Sequence, residues 1–114
     1  MNTQGWLRGM LSKSYSQEKY FNHVVGCIDQ ELTEWGYDSI VIYDWEASND
    51  EVRVHFIIDL KPLNLEIAKK EIQNLQARSP YLIDQYLWTF LKKQGVNIQD
   101  DQYMSNVFGT LSEQ

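Results

Sequence analysis

Cysteine, histidine and long apolar runs are scarce in this chain of 114 residues. The one cysteine, Cys27, excludes an internal disulfide and fits a reducing compartment. The two histidines, His23 and His55, are too few to complete a zinc site with it. Residues 1–10 carry one charge, Arg8, and no long apolar stretch, so they form neither a secretory signal nor a transmembrane span. We therefore expect a cytoplasmic protein with no cofactor, no metal and no membrane association.

Basic side chains are also few. The 10 lysines and arginines stand against 16 aspartates and glutamates, which gives a net charge of −6. An acidic chain repels phosphate, so nucleic acid is a disfavoured partner and a basic protein a suitable one. Apolar residues make up 43% of the chain, near the globular norm. Length and composition together predict one domain over residues 1–114, large enough to bury a core without disulfides.

Residues 40–60 predict a β-hairpin around which the rest of the chain is organised. Residues 51–60 alternate between polar and apolar, which is typical of a half-buried strand. The buried face of this strand would consist of Val52, Val54, Phe56, Ile58 and Leu60. A polar cluster at residues 47–50 predicts the turn between the two strands.

Opposite charges across the two strands favour one register of this hairpin. In that register the outer face carries three cross-strand pairs, namely Asp44 with Arg53, Ile42 with His55, and Ile40 with Ile57. The outer face would then hold three isoleucines around one histidine.

Helical periodicity predicts three main helices that cover one face of the hairpin. The first spans residues 16–35, where a broad apolar stripe precedes Gly36. We expect Pro62 to end the second strand and Asn64 to cap the second helix. The apolar stripe of that helix would be Leu65, Ala68, Ile72 and Leu75.

The third main helix is expected to begin at Ser79 and Pro80, since proline suits a first helical position. It would end before Gly95. Residues 96–98 could form a short third strand, and an aspartate at position 100 or 101 could cap a last helix. The flanking segments, residues 1–15 and 99–114, are candidate interaction helices.

This α+β order, α-β-β-α-α-(β)-(α), is similar to that of type II KH domains and of the ribosome-binding factor A family. The resemblance covers residues 16–98. KH domains clamp nucleic acid with a GXXG loop between adjacent helices, where this chain has Ala77-Arg78-Ser79-Pro80. The resemblance implies an alternative function as a nucleic-acid or ribosome-associated accessory protein that lacks GXXG. Its basic patch would consist of Lys61, Lys69, Lys70, Arg78, Lys92 and Lys93.

No catalytic motif is found in the sequence. A nucleophile elbow, a P-loop and a dinucleotide fingerprint are all missing. His55 with Asp44 or Asp59 could form an acid–base pair, but a surface charge network is the commoner outcome. His23 and Cys27 lie four residues apart on one helix without further metal ligands. We expect a protein that is not an enzyme, with a small enzyme or ligand-binding domain as a second alternative.

The sequence feature that does indicate a function is an excess of apolar and aromatic residues over what the predicted core would bury. A small sheet with helices on one face leaves its other face open, and four tryptophans and seven tyrosines favour an interface. The candidate partner-binding residues are Trp6, Ile40, Ile42, His55, Ile57, Tyr103, Met104, Val107 and Phe108. We therefore expect a small acidic protein that binds another protein as an adaptor, inhibitor, immunity-type or chaperone-like factor, and that self-associates as a homo-oligomer. Alternatively, the terminal helices fold over the open face.

Overall fold

Residues 5–109, the part of the chain that the computed structural model describes, contain five helices and a three-stranded antiparallel sheet. The helices are α1 (Gly5–Ser14), α2 (Gln17–Glu34), α3 (Lys69–Arg78), α4 (Leu82–Lys93) and α5 (Gln102–Phe108). The strands are β1 (Ser39–Asp44), β2 (Glu51–Ile58) and β3 (Lys61–Ala68), in the spatial order β1-β2-β3. The predicted small α+β fold is confirmed.

The predicted register of the first hairpin is confirmed. Asp44 lies opposite Arg53, and the pairing continues without a bulge to Ser39 opposite Ile58. Because side chains alternate along a strand, one face of β2 is fully buried, with Val52, Val54 and Phe56 completely inaccessible to solvent. The loop between β1 and β2 is longer than predicted, since β1 ends at Asp44 and six residues precede β2.

The prediction that Pro62 ends the second strand and that Asn64 caps a helix is wrong, since β2 ends at Ile58 and both residues lie in a third strand. Residues 61–68 form β3, which pairs with β2 along its whole length, and α3 begins five residues after Asn64. A two-residue turn joins the strands, with Asp59 at φ 51° and Leu60 at φ 69°. β3 is an edge strand, where a proline without an N–H is tolerated. Leu60 is consequently 86% exposed in the turn and not on the buried face.

The predicted strand at residues 96–98 is also wrong. Val96 and Ile98 pack against the core from irregular backbone, and within residues 5–109 the third strand precedes α3 and α4. The sheet is therefore a meander in which neighbouring strands are consecutive in sequence. A KH-like position for the third strand, after the helix pair, is not found within residues 5–109.

Helices α2, α3 and α4 cover one face of the sheet, as predicted. Ser16 caps α2 by accepting a hydrogen bond from the Lys19 amide. The broad stripe of α2 is buried and includes Tyr20, Phe21, Val24, Val25, Cys27, Ile28 and Leu32. α4 begins at Leu82, two residues after Pro80, the predicted first helical position. The reason is that the Pro80 carbonyl accepts hydrogen bonds from Arg8 and from the Tyr20 hydroxyl, which fixes the corner before α4.

The terminal helices pack on the helical side of the molecule. Gln76 of α3 donates to the carbonyl oxygens of Ser12 and Tyr15, which holds the end of α1. α5 is capped by Asp101 and packs against α4. Residues 1–4 and 110–114 of the predicted flanking segments lie outside the described residues. None of the helices between residues 5 and 109 combines the length and apolar character needed to cross a membrane.

Candidate protein-interaction surface

The outer face of the sheet, which we term the open face, lies on the side away from the helices. The register of the three strands arranges its side chains in rows that cross the sheet. The rows are Ile40–Ile57–Pro62, then Ile42–His55–Asn64, then Asp44–Arg53–Glu66. The open face therefore grades from apolar at one end to charged at the other.

The apolar end of the open face exposes large hydrophobic side chains to solvent. Ile40 and Ile42 are each 53% exposed, although both belong to a regular strand. Leu60, in the turn between Ile57 and Pro62, is a further exposed apolar residue near this end of the sheet in sequence. Neighbouring exposed apolar side chains mark interaction sites, whereas apolar residues exposed singly are normal on any protein surface.

His55 occupies the middle row and is positioned by β3. Its Nδ1 lies 2.6 Å from the side-chain oxygen of Asn64, the residue directly opposite in the register. Since an amide oxygen is an acceptor, the ring donates from Nδ1. His55 is thus bonded to a neutral amide, and not to Asp44 or Asp59 as an acid–base pair would require.

The charged end carries an exposed ion pair and further carboxylates. Arg53 donates to Glu66 through Nε at 3.0 Å and through Nη2 at 2.9 Å. The carboxylates of Asp44 and Glu51 add negative charge beside this pair, and both residues are exposed. This end of the open face is therefore net acidic.

Three of the predicted partner-binding residues lie in the core. Tyr103, Met104 and Val107 are 6%, 4% and 3% exposed, because α5 turns its apolar face toward α4. Phe108 is half-buried and packs against the core. Trp6 is 68% exposed and belongs to α1, which packs against α3 on the other side of the molecule from the open face. The structure brings together Ile40, Ile42, His55 and Ile57, but not the terminal residues.

A buried polar cluster that the sequence did not predict connects the terminal helices to α4. Arg8 of α1 forms two hydrogen bonds with the Asp84 carboxylate, at 2.5 and 2.7 Å, and both side chains are fully buried. The Tyr103 hydroxyl donates to Asp84 at 2.6 Å and accepts from the Trp88 indole at 3.0 Å. Tyr81 stacks on the guanidinium, whose carbon lies 4.7 Å from the ring centroid.

The electrostatics of this cluster follow from burial and from the ion pair. Burial opposes the charge on Arg8, but the hydrogen bonds and the charge of Asp84 outweigh it and raise the pKa of Arg8. Burial, with the nearby carboxylate, raises the pKa of Tyr103 well above its ordinary value. The one sequence signal for this cluster is that Arg8 and Asp84 each interrupt an apolar helix face. Because both side chains are fully buried, the role of the cluster is to fasten α1 and α5 to the domain.

The predicted neighbours His23 and Cys27 do meet on α2. Cys27 Sγ lies 3.7 Å from His23 Nε2, and the cysteine is buried. Burial lowers the pKa of His23, and the charge of Arg8 lowers it further. Among residues 5–109 there is no group of three or more histidine, cysteine, aspartate or glutamate side chains arranged to hold a metal ion.

Comparison with known proteins gave no relative, since no family model, curated protein or solved structure matches this chain.

Proposed function

We propose that this protein is a non-catalytic protein-binding protein and that the open face of its sheet is the contact surface. The observation that carries the proposal is the gradation from the Ile40–Ile57–Pro62 row to the acidic end across three strands. An apolar anchor region beside a charged region is the arrangement of a specific protein interface, in which burial supplies affinity and charge supplies orientation.

The partner suited to this surface has an apolar patch bordered by basic side chains. Ile40 and Ile42 would enter the apolar patch. Asp44 and Glu51 would attract the basic side chains, and the net charge of −6 would increase the association rate. Self-association through the apolar end would bury the same apolar side chains, but it would bring two negatively charged copies of the protein together.

The test compares three forms of the tagged protein as baits in nuclease-treated extract of the native cell. Ile42→Arg places a charge in the middle of the open face, where a side chain already half in water tolerates it. Thr33→Arg, at an exposed position of α2, is the matched control. Circular dichroism verifies that each variant is folded.

We expect a stoichiometric partner that the wild type and Thr33→Arg retain and Ile42→Arg loses. Sedimentation velocity of the same three forms tests self-association, which Ile42→Arg should also weaken. Equal capture and equal sedimentation of all three folded proteins would overturn the assignment of the open face.

A further inference from the structure

A groove on the helical side of the molecule lies between β3, α3 and α4. Its volume is about 510 Å³. The lining comprises Leu65, Leu75, Arg78, Leu82, Gln85, Tyr86, Thr89, Phe90 and Lys93. We term it the α3–α4 groove, and it shares none of these residues with the open face.

The apolar character of the α3–α4 groove follows from helical spacing. On α4, Leu82, Tyr86, Thr89 and Lys93 recur at intervals of four, three and four residues, so they form one continuous side. Leu65 of β3 and Leu75 of α3 complete the apolar lining. Tyr86, a large aromatic residue of this lining, is 37% exposed.

The charge of the groove is opposite to that of the chain. Its lining contains two cations, Arg78 and Lys93, and no carboxylate among the described residues, whereas the whole protein carries a net charge of −6. Arg78 is in the last turn of α3, and Lys93 ends α4. From Leu82, near the start of the groove, to Lys93 the helix rises about 16 Å.

We propose that the α3–α4 groove binds a peptide segment of another protein, with an apolar centre of about five residues and a carboxylate at each end. Five extended residues span about 16 Å, the length of the α4 side of the groove. The apolar centre contacts Leu65, Leu82 and Phe90. The carboxylates pair with Arg78 at one end and with Lys93 at the other, since a guanidinium and an ammonium both bind carboxylate.

The proposal is tested by fluorescence anisotropy with the full-length protein and synthetic probes. The first probe is a fluorescein-labelled peptide pool, with five randomised positions of Leu, Ile, Val, Phe, Met and Trp between fixed glutamate pairs. A second pool has lysine in place of glutamate. A fluorescein-labelled single-stranded polyuridine tests whether Arg78 and Lys93 bind nucleic acid instead of a peptide.

The variants separate the groove from general charge effects. Arg78→Glu with Lys93→Glu reverses the charge of the groove, and Lys92→Glu with Lys70→Glu makes the same change on the same two helices outside it. Lys92 is also in the last turn of α4, so Lys92→Glu perturbs the helix dipole as Lys93→Glu does. Ile42→Arg, on the open face, should leave peptide binding unchanged.

We expect the glutamate pool to bind and the lysine pool not to bind. Affinity for the glutamate pool should fall at least about tenfold in Arg78→Glu/Lys93→Glu and change less than about twofold in Lys92→Glu/Lys70→Glu. No binding of the glutamate pool, an equal loss in both double variants, or tighter binding of polyuridine with the same dependence on Arg78 and Lys93 would overturn the proposal.

Discussion

Arg8 of α1 and Asp84 of α4, separated by 76 positions in the chain, form a bidentate ion pair that is completely buried. Asp84 also accepts a hydrogen bond from Tyr103 of α5. One carboxylate therefore connects both terminal helices to the helical layer. None of the helices within residues 5–109 covers the open face, because α1 and α5 are held on the opposite side of the molecule.

Loss of Asp84 is expected to destabilise the protein strongly. Asp84→Ala leaves the Arg8 guanidinium buried without a counter-ion, which should lower the free energy of unfolding by about 3–5 kcal/mol. Urea denaturation measures this change. The control is Arg53→Ala, which breaks the exposed pair with Glu66 and should cost at most about 1 kcal/mol. A similar small cost for both variants would contradict the structural role of the buried pair.

The turn between β2 and β3 offers a stabilising substitution. Leu60 adopts φ 69°, a left-handed conformation that disfavours any residue with a Cβ. Leu60→Gly should raise the free energy of unfolding by about 1 kcal/mol, because a glycine at this position relieves the steric conflict. Leu60→Ala keeps the Cβ and should bring no gain. Thermal denaturation of the three proteins distinguishes the backbone effect from the loss of an exposed apolar side chain.

Stability should fall in alkaline solution. Burial raises the pKa of Tyr20 from 10.0 to about 12, against the opposing charge of Arg8, and the pKa of Tyr103 is raised as well. Above pH 10 the unfolded chain loses tyrosine protons that the folded protein retains, so the free energy of unfolding decreases as the pH rises toward 12.

Urea midpoints measured from about pH 8 upward test this prediction, with Tyr103→Phe expected to show a shallower alkaline decrease than the wild type. The urea midpoint of Tyr86→Phe, a change at an exposed position, should decrease with rising pH as that of the wild type does. Identical alkaline slopes for Tyr103→Phe and the wild type would count against the buried tyrosine as the cause.

Acid should also destabilise the fold through His23. Burial and the charge of Arg8 lower the pKa of His23 below its ordinary value of 6.5. Below pH 6.5, His23 binds a proton more readily in the unfolded chain than in the folded protein. The free energy of unfolding therefore decreases as the pH falls from 6.5 through the lowered pKa of the folded protein. His23→Gln should reduce the decrease in the urea midpoint between neutral and mildly acidic pH. His55→Gln, on the open face, provides the comparison, and an equal effect of the two variants would refute the assignment.

Local pattern was sufficient to predict the first hairpin. Alternation over residues 51–58 fixes which side chains face the core, and the pairing of Asp44 with Arg53 fixes the register. For the same reason, strand alternation alone groups the open-face residues Ile40, Ile42, His55 and Ile57 on one side of the hairpin. Both inferences depend on neighbours in sequence or directly across one hairpin.

Local pattern was ambiguous for residues 61–68. Leu63, Leu65 and Ile67 alternate as in a strand, yet Leu65, Ala68, Ile72 and Leu75 are also spaced as in a helix. Tertiary structure decides between strand and helix for these residues. A strand here supplies hydrogen-bond partners for the edge of β2 that β1 does not pair with. The position of Pro62 on the outer strand makes this choice compatible with its missing N–H.

By itself, the sequence determined the α+β class, the hairpin register and the position of Ile40, Ile42 and Ile57 on the open face, because these follow from periodicities within one element or one hairpin. Only the tertiary structure decided that Tyr103, Met104 and Val107 are buried and that the α3–α4 groove exists. It also decided that Arg8 meets Asp84. These features depend on helices distant in the chain packing together, and periodicity shows which face of a helix is apolar but not which neighbour will cover it.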